Sequence, residues 1–157
     1  MATDLSTSTS PETGVASGSW KGAVVAGLIA GVIYGIVYSV VHPKVMNVMI
    51  PMLIGLKGPI IGWIVHLSVA TVWSIVFAAI VAGFDWGNNV ERSVGLGFVF
   101  GAALWILDAV IIMPLWMHGV IGFSKAPSFP NWDLMSLWIH LLYGVVVGLL
   151  YPLLNNW

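Results

Sequence analysis

Four histidines are the side chains of this 157-residue sequence whose chemistry and spacing first suggest a site. His42 and His118 each end a long apolar segment, whereas His66 and His140 lie inside two others. Each of the latter pair follows the start of its segment by about seven residues, which at about 1.5 Å per residue places both imidazoles roughly 10 Å inside the same membrane face. Histidines at equal depth on neighbouring helices predict a shared site.

One hypothesis for this site is haem b, with His66 and His140 as its axial ligands. Small residues on the same helix faces, among them Ala70, Gly144 and Gly148, would make room for the porphyrin ring. The chain would then be an electron-transfer subunit in the membrane.

Imidazole and thioether groups form a second combination, near the ends of two segments. His42 is followed by Met46, and His118 is preceded by Met117. Soft thioethers together with imidazole suit Cu(I), so these four residues are a candidate copper site. The alternative is that the methionines fill gaps in an apolar core.

Asp108 is the only acidic residue inside the apolar segments, and it lies ten residues before His118, near the membrane midplane. A carboxylate there costs at least about 2.5 kcal/mol unless it is paired or protonated. Tyr38, His66 and His140 are its candidate partners. Such groups predict a small-solute or proton pathway, for which a four-helix chain would need to form an oligomer. The alternative is a protonated carboxyl group that hydrogen-bonds between helices.

The composition decides where these residues must lie. Hydrophobic residues make up 59% of the chain and charged residues only 7%, and there is no cysteine. Since soluble domains carry roughly a quarter charged residues, this composition excludes a soluble enzyme, a disordered protein and a nucleic-acid-binding protein. It predicts a multi-pass protein of the cell membrane whose first partner is the lipid bilayer. No Ser-His-Asp grouping, phosphate-binding glycine loop or HExxH motif occurs, so we expect no enzymatic activity.

Four apolar segments are each long enough to cross about 30 Å of hydrocarbon. They cover residues 22–41, 60–83, 94–117 and 134–154. Because a backbone in lipid must satisfy its own hydrogen bonds, the predicted fold class is all-α, a polytopic membrane protein with four transmembrane helices. Residues 1–19 predict a disordered polar tail before a membrane domain at residues 20–157, and residues 44–58 predict an interfacial or re-entrant piece.

The four segments read as two similar helical hairpins, with repeat halves at about residues 20–84 and 93–154. A shift of 74 residues places His66 on His140 and lays the small residues of the second segment on those of the fourth. The first segment has glycines at every fourth position, here called its glycine ladder, and a shift of 70 residues aligns Gly27 and Gly31 with Gly97 and Gly101 of the third segment. We therefore predict an internal duplication.

Glycines at every fourth position predict close helix–helix packing, because they share one helix face and let backbones approach. The partner helix belongs either to the same chain or to another subunit. The function expected first is therefore a non-catalytic accessory or structural subunit, a helix-packing scaffold in a homo-oligomer or with other membrane subunits. The glycine face of the first segment would be its docking surface. The packing positions are Gly27, Gly31, Gly35, Gly97, Gly101, Gly144 and Gly148.

The segments GLIAGVIYG, WIVHL, GFVFGAALWILD and LWIHLLYG resemble those of small four-helix membrane proteins of unknown function that are common in archaea. The resemblance covers residues 22–154. Some of those proteins carry an automatic histidine kinase label, which this sequence does not support, because it has no ATP-binding domain and places His66 and His140 within the bilayer. The resemblance implies a four-helix membrane fold and assigns no catalytic residues.

Overall fold

A computed structural model describes residues 19–84 and 86–155, and within these ranges every regular element is helical. The predicted all-α class is therefore confirmed. The predicted polar tail lies outside the described residues, apart from Ser19. The helices are α1 (Trp20–Val41), α2 (Val45–Met49 and Ile50–Met52), α3 (Pro59–Gly83), α4 (Val90–Gly119) and α5 (Leu134–Leu154).

Helices α1, α3, α4 and α5 are each long and apolar enough to cross a membrane. Their ends agree closely with the predicted segments, and α4 differs most because it begins at Val90. The side chain of Asn89 caps it by accepting a hydrogen bond from the backbone N–H of Arg92 at 2.9 Å. Asp133 caps α5 in the same way, by accepting from two backbone N–H groups of the first turn.

The middle of α4 departs from regular α-helical winding. The α-helical part Val90–Leu104 passes into a π-helical segment, Trp105–Ile112, and returns to α-helix at Met113–Gly119. Pi-helical segments are uncommon and occur frequently at functional sites. This one contains Asp108, the acidic residue predicted near the midplane.

Helices α1 and α5 hold the bundle together. Helix α1 packs against α3 and α5, and α5 packs against α4, whereas α3 and α4 touch only slightly. Helices α1 and α5 run antiparallel, since Gly22 approaches Leu154 while Tyr34 contacts His140. The slight contact between α3 and α4 leaves a gap between these two helices.

The short helix α2 folds back onto the beginning of α3. There Gly62 lies against the carbonyl group of Met46, so a side chain at this glycine would overlap the backbone of α2. On the other side, the indole N–H of Trp116 in α4 donates a hydrogen bond to the carbonyl oxygen of Leu53 at 2.8 Å. Helix α2 is therefore held at one end of the bundle, and its few residues do not span a membrane.

The predicted glycine ladders lie at contacts between helices of this chain. The ladder of α1 faces α3, where a Cβ atom at Gly31 would lie 2.9 Å from the Cβ atom of Ala70. Helices α4 and α5 approach more closely still, and a Cβ atom at Gly101 would lie 2.5 Å from the carbonyl oxygen of His140. The expectation that the glycine face of α1 docks another subunit is corrected, because α3 already covers that face.

The contacts of α1 with α3 recur in those of α4 with α5. Two close contacts of the first pair of helices map onto contacts of the second pair through the shifts of 70 and 74 residues. This agreement supports the internal duplication, which stays a prediction. The corresponding pairs are Gly31–Ala70 with Gly101–Gly144, and Gly27–Ser74 with Gly97–Gly148.

Candidate functional site

A cavity of about 120 Å³ lies between α3 and α4, with α1 and α5 behind it and α2 at one end. It collects polar side chains from all four long helices, including every intramembrane group that the sequence singled out for the Asp108 hypothesis. A concave, mostly apolar space with a few converging polar groups is the usual form of a small-molecule site. The hydroxyl, imidazole and carboxyl groups in its lining belong to Tyr34, Tyr38, His66, Asp108, His140 and Tyr143.

Tyr34 connects the two buried histidines of this cavity. Its hydroxyl group donates a hydrogen bond to Nε2 of His140 at 2.9 Å. Its ring stacks on the imidazole of His66, with ring centroids 4.9 Å apart and an interplanar angle of 24°. The sequence therefore placed the two histidines correctly near one another, but a phenol from α1 lies in contact with both.

The hydrogen bonds of the two histidines define which ring nitrogen carries a proton. His66 donates from Nε2 to the carbonyl oxygen of Gly31 at 2.9 Å. His140 donates from Nδ1 to the carbonyl oxygen of Ser136 at 2.7 Å. Because a carbonyl oxygen only accepts, one N–H per ring satisfies both contacts, and Nε2 of His140 is left to accept from Tyr34. Both imidazoles are thus accommodated in their neutral form.

Asp108 faces the cavity from the π-helical part of α4. Its carboxyl group interacts with the indole of Trp73 on α3, a partner that the sequence analysis did not name. The one ion-pair contact among the described residues joins His42 and Asp133 at 3.6 Å and does not involve Asp108. The structure thus brings Asp108 to the same cavity as its predicted partners without pairing it with a cation.

The cavity is partly open where α3 and α4 separate. Trp73 and Asp108, which flank this gap, are half-buried, and Ile112 at its edge is 44% exposed. The histidines at the back are almost fully buried. A small molecule would therefore reach the imidazoles through the gap between α3 and α4.

The opposite half of the bundle is closed by direct packing. The hydroxyl group of Ser74 on α3 donates to the carbonyl oxygen of Ala23 on α1 at 2.7 Å. A Cβ atom at Gly148 of α5 would lie 2.5 Å from the carbonyl oxygen of Ser93 on α4. Between these two pairs of helices the rings of Phe77, Phe100 and Tyr151 pack against one another, so among the described residues this half is filled by side chains rather than by a continuation of the cavity.

Haem does not fit between His66 and His140. An iron with two axial imidazoles needs an unobstructed plane between the two rings, and Tyr34 contacts both of them. Each Nε2 atom already has a hydrogen-bond partner. The cavity volume of about 120 Å³ is also too small for a porphyrin, because an engineered cavity of roughly 150 Å³ holds only a molecule as small as benzene.

The residues of the copper hypothesis have other partners. His42 lies 3.6 Å from the carboxylate of Asp133, and His118 donates from Nε2 to the carbonyl oxygen of Pro127 at 3.0 Å. Met46 and Met117 are fully buried in apolar packing, as gap-filling methionines would be. Across the described ranges, no group of three or more His, Cys, Asp or Glu side chains is placed to hold a metal ion.

Sequence reasoning missed Tyr34, Tyr143 and Trp73. Tyr143 donates a short hydrogen bond to the carbonyl group of Ala70 and so links α5 to α3. A helical signal existed for two of them, because Tyr34 precedes Tyr38 by four residues and Tyr143 follows His140 by three. Such spacing places each on the face already assigned to the site.

Comparison of the chain with protein-family models, with curated proteins and with solved structures finds no match. The resemblance to small archaeal four-helix proteins therefore stays a prediction. The assignment of a function depends on the cavity itself.

Proposed function

We propose that this chain is a non-catalytic protein of the cell membrane that binds a small molecule in the cavity between α3 and α4. The supporting observation is that Tyr34, His66, Asp108, His140 and Tyr143 converge on one space from all four long helices. Polar and ionisable groups are costly in hydrocarbon and mark functional sites there by default. A bound ligand gives a physical reason to gather them.

Two features favour binding over the functions that the sequence left open. An open transport pathway would have to cross the half of the bundle around Ser74 and Gly148, which is closely packed. A scaffold that docks through its glycine ladder would need a free face, and the ladder of α1 is covered by α3. A protein that only binds a ligand needs neither a path across that half of the bundle nor a free glycine face.

The test uses a pair of matched tryptophan variants in α4. Ile112 lines the cavity and Ile106 does not, yet both are 44% exposed. Ile112→Trp should fill the mouth of the cavity, whereas Ile106→Trp adds the same side chain to the lipid-facing surface. Each full-length protein is purified from membranes in mild detergent, its bound small molecules are identified by native mass spectrometry, and a small-molecule library is screened for thermal stabilisation.

The wild type and Ile106→Trp should retain or be stabilised by the same small molecules, and Ile112→Trp should lose that response. An identical response of all three proteins would contradict the proposed site. A protein subunit that co-purifies in fixed stoichiometry, with no ligand response in any variant, would favour the accessory role instead.

A further inference from the structure

Two hydroxyl groups that line the cavity donate their protons to groups of the protein, so their oxygens act as hydrogen-bond acceptors toward the cavity. Tyr143 donates its hydroxyl proton to the carbonyl group of Ala70, and Tyr34 donates its proton to His140. Each phenol oxygen keeps its lone pairs. Both phenols lie within electrostatic range of Asp108, whose carboxylate also accepts. A ligand that complements these atoms must bring hydrogen-bond donors.

The charge of the cavity lining has one sign. Asp108 is its only Asp or Glu, and all five Lys and Arg residues of the chain lie outside the lining. His66 and His140 are satisfied as neutral rings by one carbonyl partner each. In a low-dielectric site a carboxylate attracts a cation and repels an anion strongly. A cationic ligand would also remove the cost of leaving Asp108 unpaired in the membrane.

Aromatic rings surround the same space. Trp73, Tyr34 and Tyr143 contribute rings to the lining, and the indole of Trp73 lies beside the carboxyl group of Asp108. The face of a tryptophan or tyrosine ring attracts cations through its quadrupole, most strongly where water is excluded. An aromatic wall next to a carboxylate is therefore suited to a cation that also has apolar surface.

From these three features we infer that the cavity binds a small organic cation, an amine or an ammonium ion. The inference rests on the proposed function and names the ligand class of that site. A primary ammonium group has three N–H donors, and Asp108, Tyr34 and Tyr143 supply acceptors in one lining. The cavity volume of about 120 Å³ limits the ligand to a little less than the size of benzene, which fits a cavity of roughly 150 Å³.

Two probes of equal shape separate charge from size. Isopropylammonium and isopropanol, both smaller than benzene, have the same heavy-atom skeleton, and only the first is a cation. Each is titrated into the full-length protein in lipid nanodiscs, and binding is measured by isothermal calorimetry. The wild type should bind the cation at least about tenfold more tightly than the alcohol.

Substitutions of Asp108 and Trp73 test whether these two side chains cause the preference for the cation. Asp108→Asn should reduce the preference to less than about threefold, because binding of isopropylammonium weakens more than binding of isopropanol. Asp108→Glu keeps the carboxylate and should keep a preference for the cation. Trp73→Leu, at the partly exposed edge, should weaken binding of the cation more than binding of the alcohol, and it serves as the second test if Asp108→Asn does not fold.

The outcomes distinguish this inference from the proposed function. Equal affinities for the two probes in the wild type would overturn the cation inference and leave a small-molecule site in place. A cation preference that persists in Asp108→Asn would overturn it as well. If neither probe binds and the Ile112→Trp comparison also shows no ligand response, both proposals are wrong.

Discussion

The hydroxyl group of Tyr34 lies 2.9 Å from Nε2 of His140 and donates a hydrogen bond to it. This contact joins α1 to α5 at the back of the cavity, between residues 106 positions apart in the sequence. The hydrogen bond also occupies Nε2 of His140, which would otherwise be an acceptor without a donor. The pair therefore fixes both the packing of two helices and the chemical character of the cavity wall.

Removal of this hydroxyl group gives the first prediction. Tyr34→Phe should lower the free energy of unfolding by about 1 kcal/mol, because Nε2 of His140 loses its donor and membrane hydrogen bonds are of modest strength. Unfolding in mixed detergent micelles measures the change. Tyr151→Phe is the matched control, since Tyr151 is fully buried and its hydroxyl group has no hydrogen-bond partner among the described residues. That variant should be neutral or slightly more stable, and equal losses in both would contradict the prediction.

The sequence predicted which helices carry the polar groups better than it predicted the partners of these groups. Hydropathy places Asp108 and His140 within two of the four long apolar helices, and both residues line one cavity. Their neighbours depend on which helices pack together and with what rotation. Tyr34 approaches His140 because α1 lies against α5, a contact between distant segments that no local pattern contains.

The predicted equivalence of the two histidines is only partly visible in the structure. His66 and His140 occupy corresponding positions in the repeat, yet His66 donates across to Gly31 on α1 while His140 donates back to Ser136 within its own helix. The position equivalent to Gly31 is Gly101, which packs directly on the backbone of α5. The closer approach of α4 to α5 leaves His140 to turn toward α1 instead.

Close packing of α4 on α5 gives the second prediction. A Cβ atom at Gly144 would lie 2.8 Å from the backbone nitrogen of Gly101 and also overlap the carbonyl group of Gly97. Gly144→Ala should therefore destabilise the protein by about 2 kcal/mol or more, because a backbone cannot move aside as a side chain can. Gly95→Ala on the exposed side of α4, where a Cβ atom meets nothing within 4 Å, should be neutral or stabilising by up to about 1 kcal/mol. Similar thermal unfolding temperatures for the two variants would count against this packing.

The third prediction concerns haem. Because Tyr34 lies in contact with both imidazoles, protein produced with ample haem should show no Soret absorption in stoichiometric amount. Absorption spectra of the purified protein and its haem content by pyridine haemochrome measure this. A stoichiometric Soret band that disappears in both His66→Ala and His140→Ala would show that Tyr34 moves aside, and the geometry of the cavity would need to be revised.

The fourth prediction concerns the end of the cavity that α2 covers. The indole N–H of Trp116 donates to the carbonyl oxygen of Leu53 at 2.8 Å, and Leu53 lines the cavity. Trp116→Phe keeps an aromatic ring but removes this donor, so α2 should open more often. Amide hydrogen exchange at residues 45–52 should become faster by about fivefold, which corresponds to a hydrogen bond of about 1 kcal/mol.

A second tryptophan provides the control for this measurement. Trp138 on α5 is 65% exposed, and Trp138→Phe should leave exchange at residues 45–52 unchanged. If the release of α2 also shortens the residence of a bound ligand, the dissociation rate should rise in Trp116→Phe and remain constant in Trp138→Phe. Unchanged exchange in Trp116→Phe would mean that α2 is held by its contacts with α3, chiefly the close approach of Met46 to Gly62. Gly62→Ala would then be the substitution that releases it.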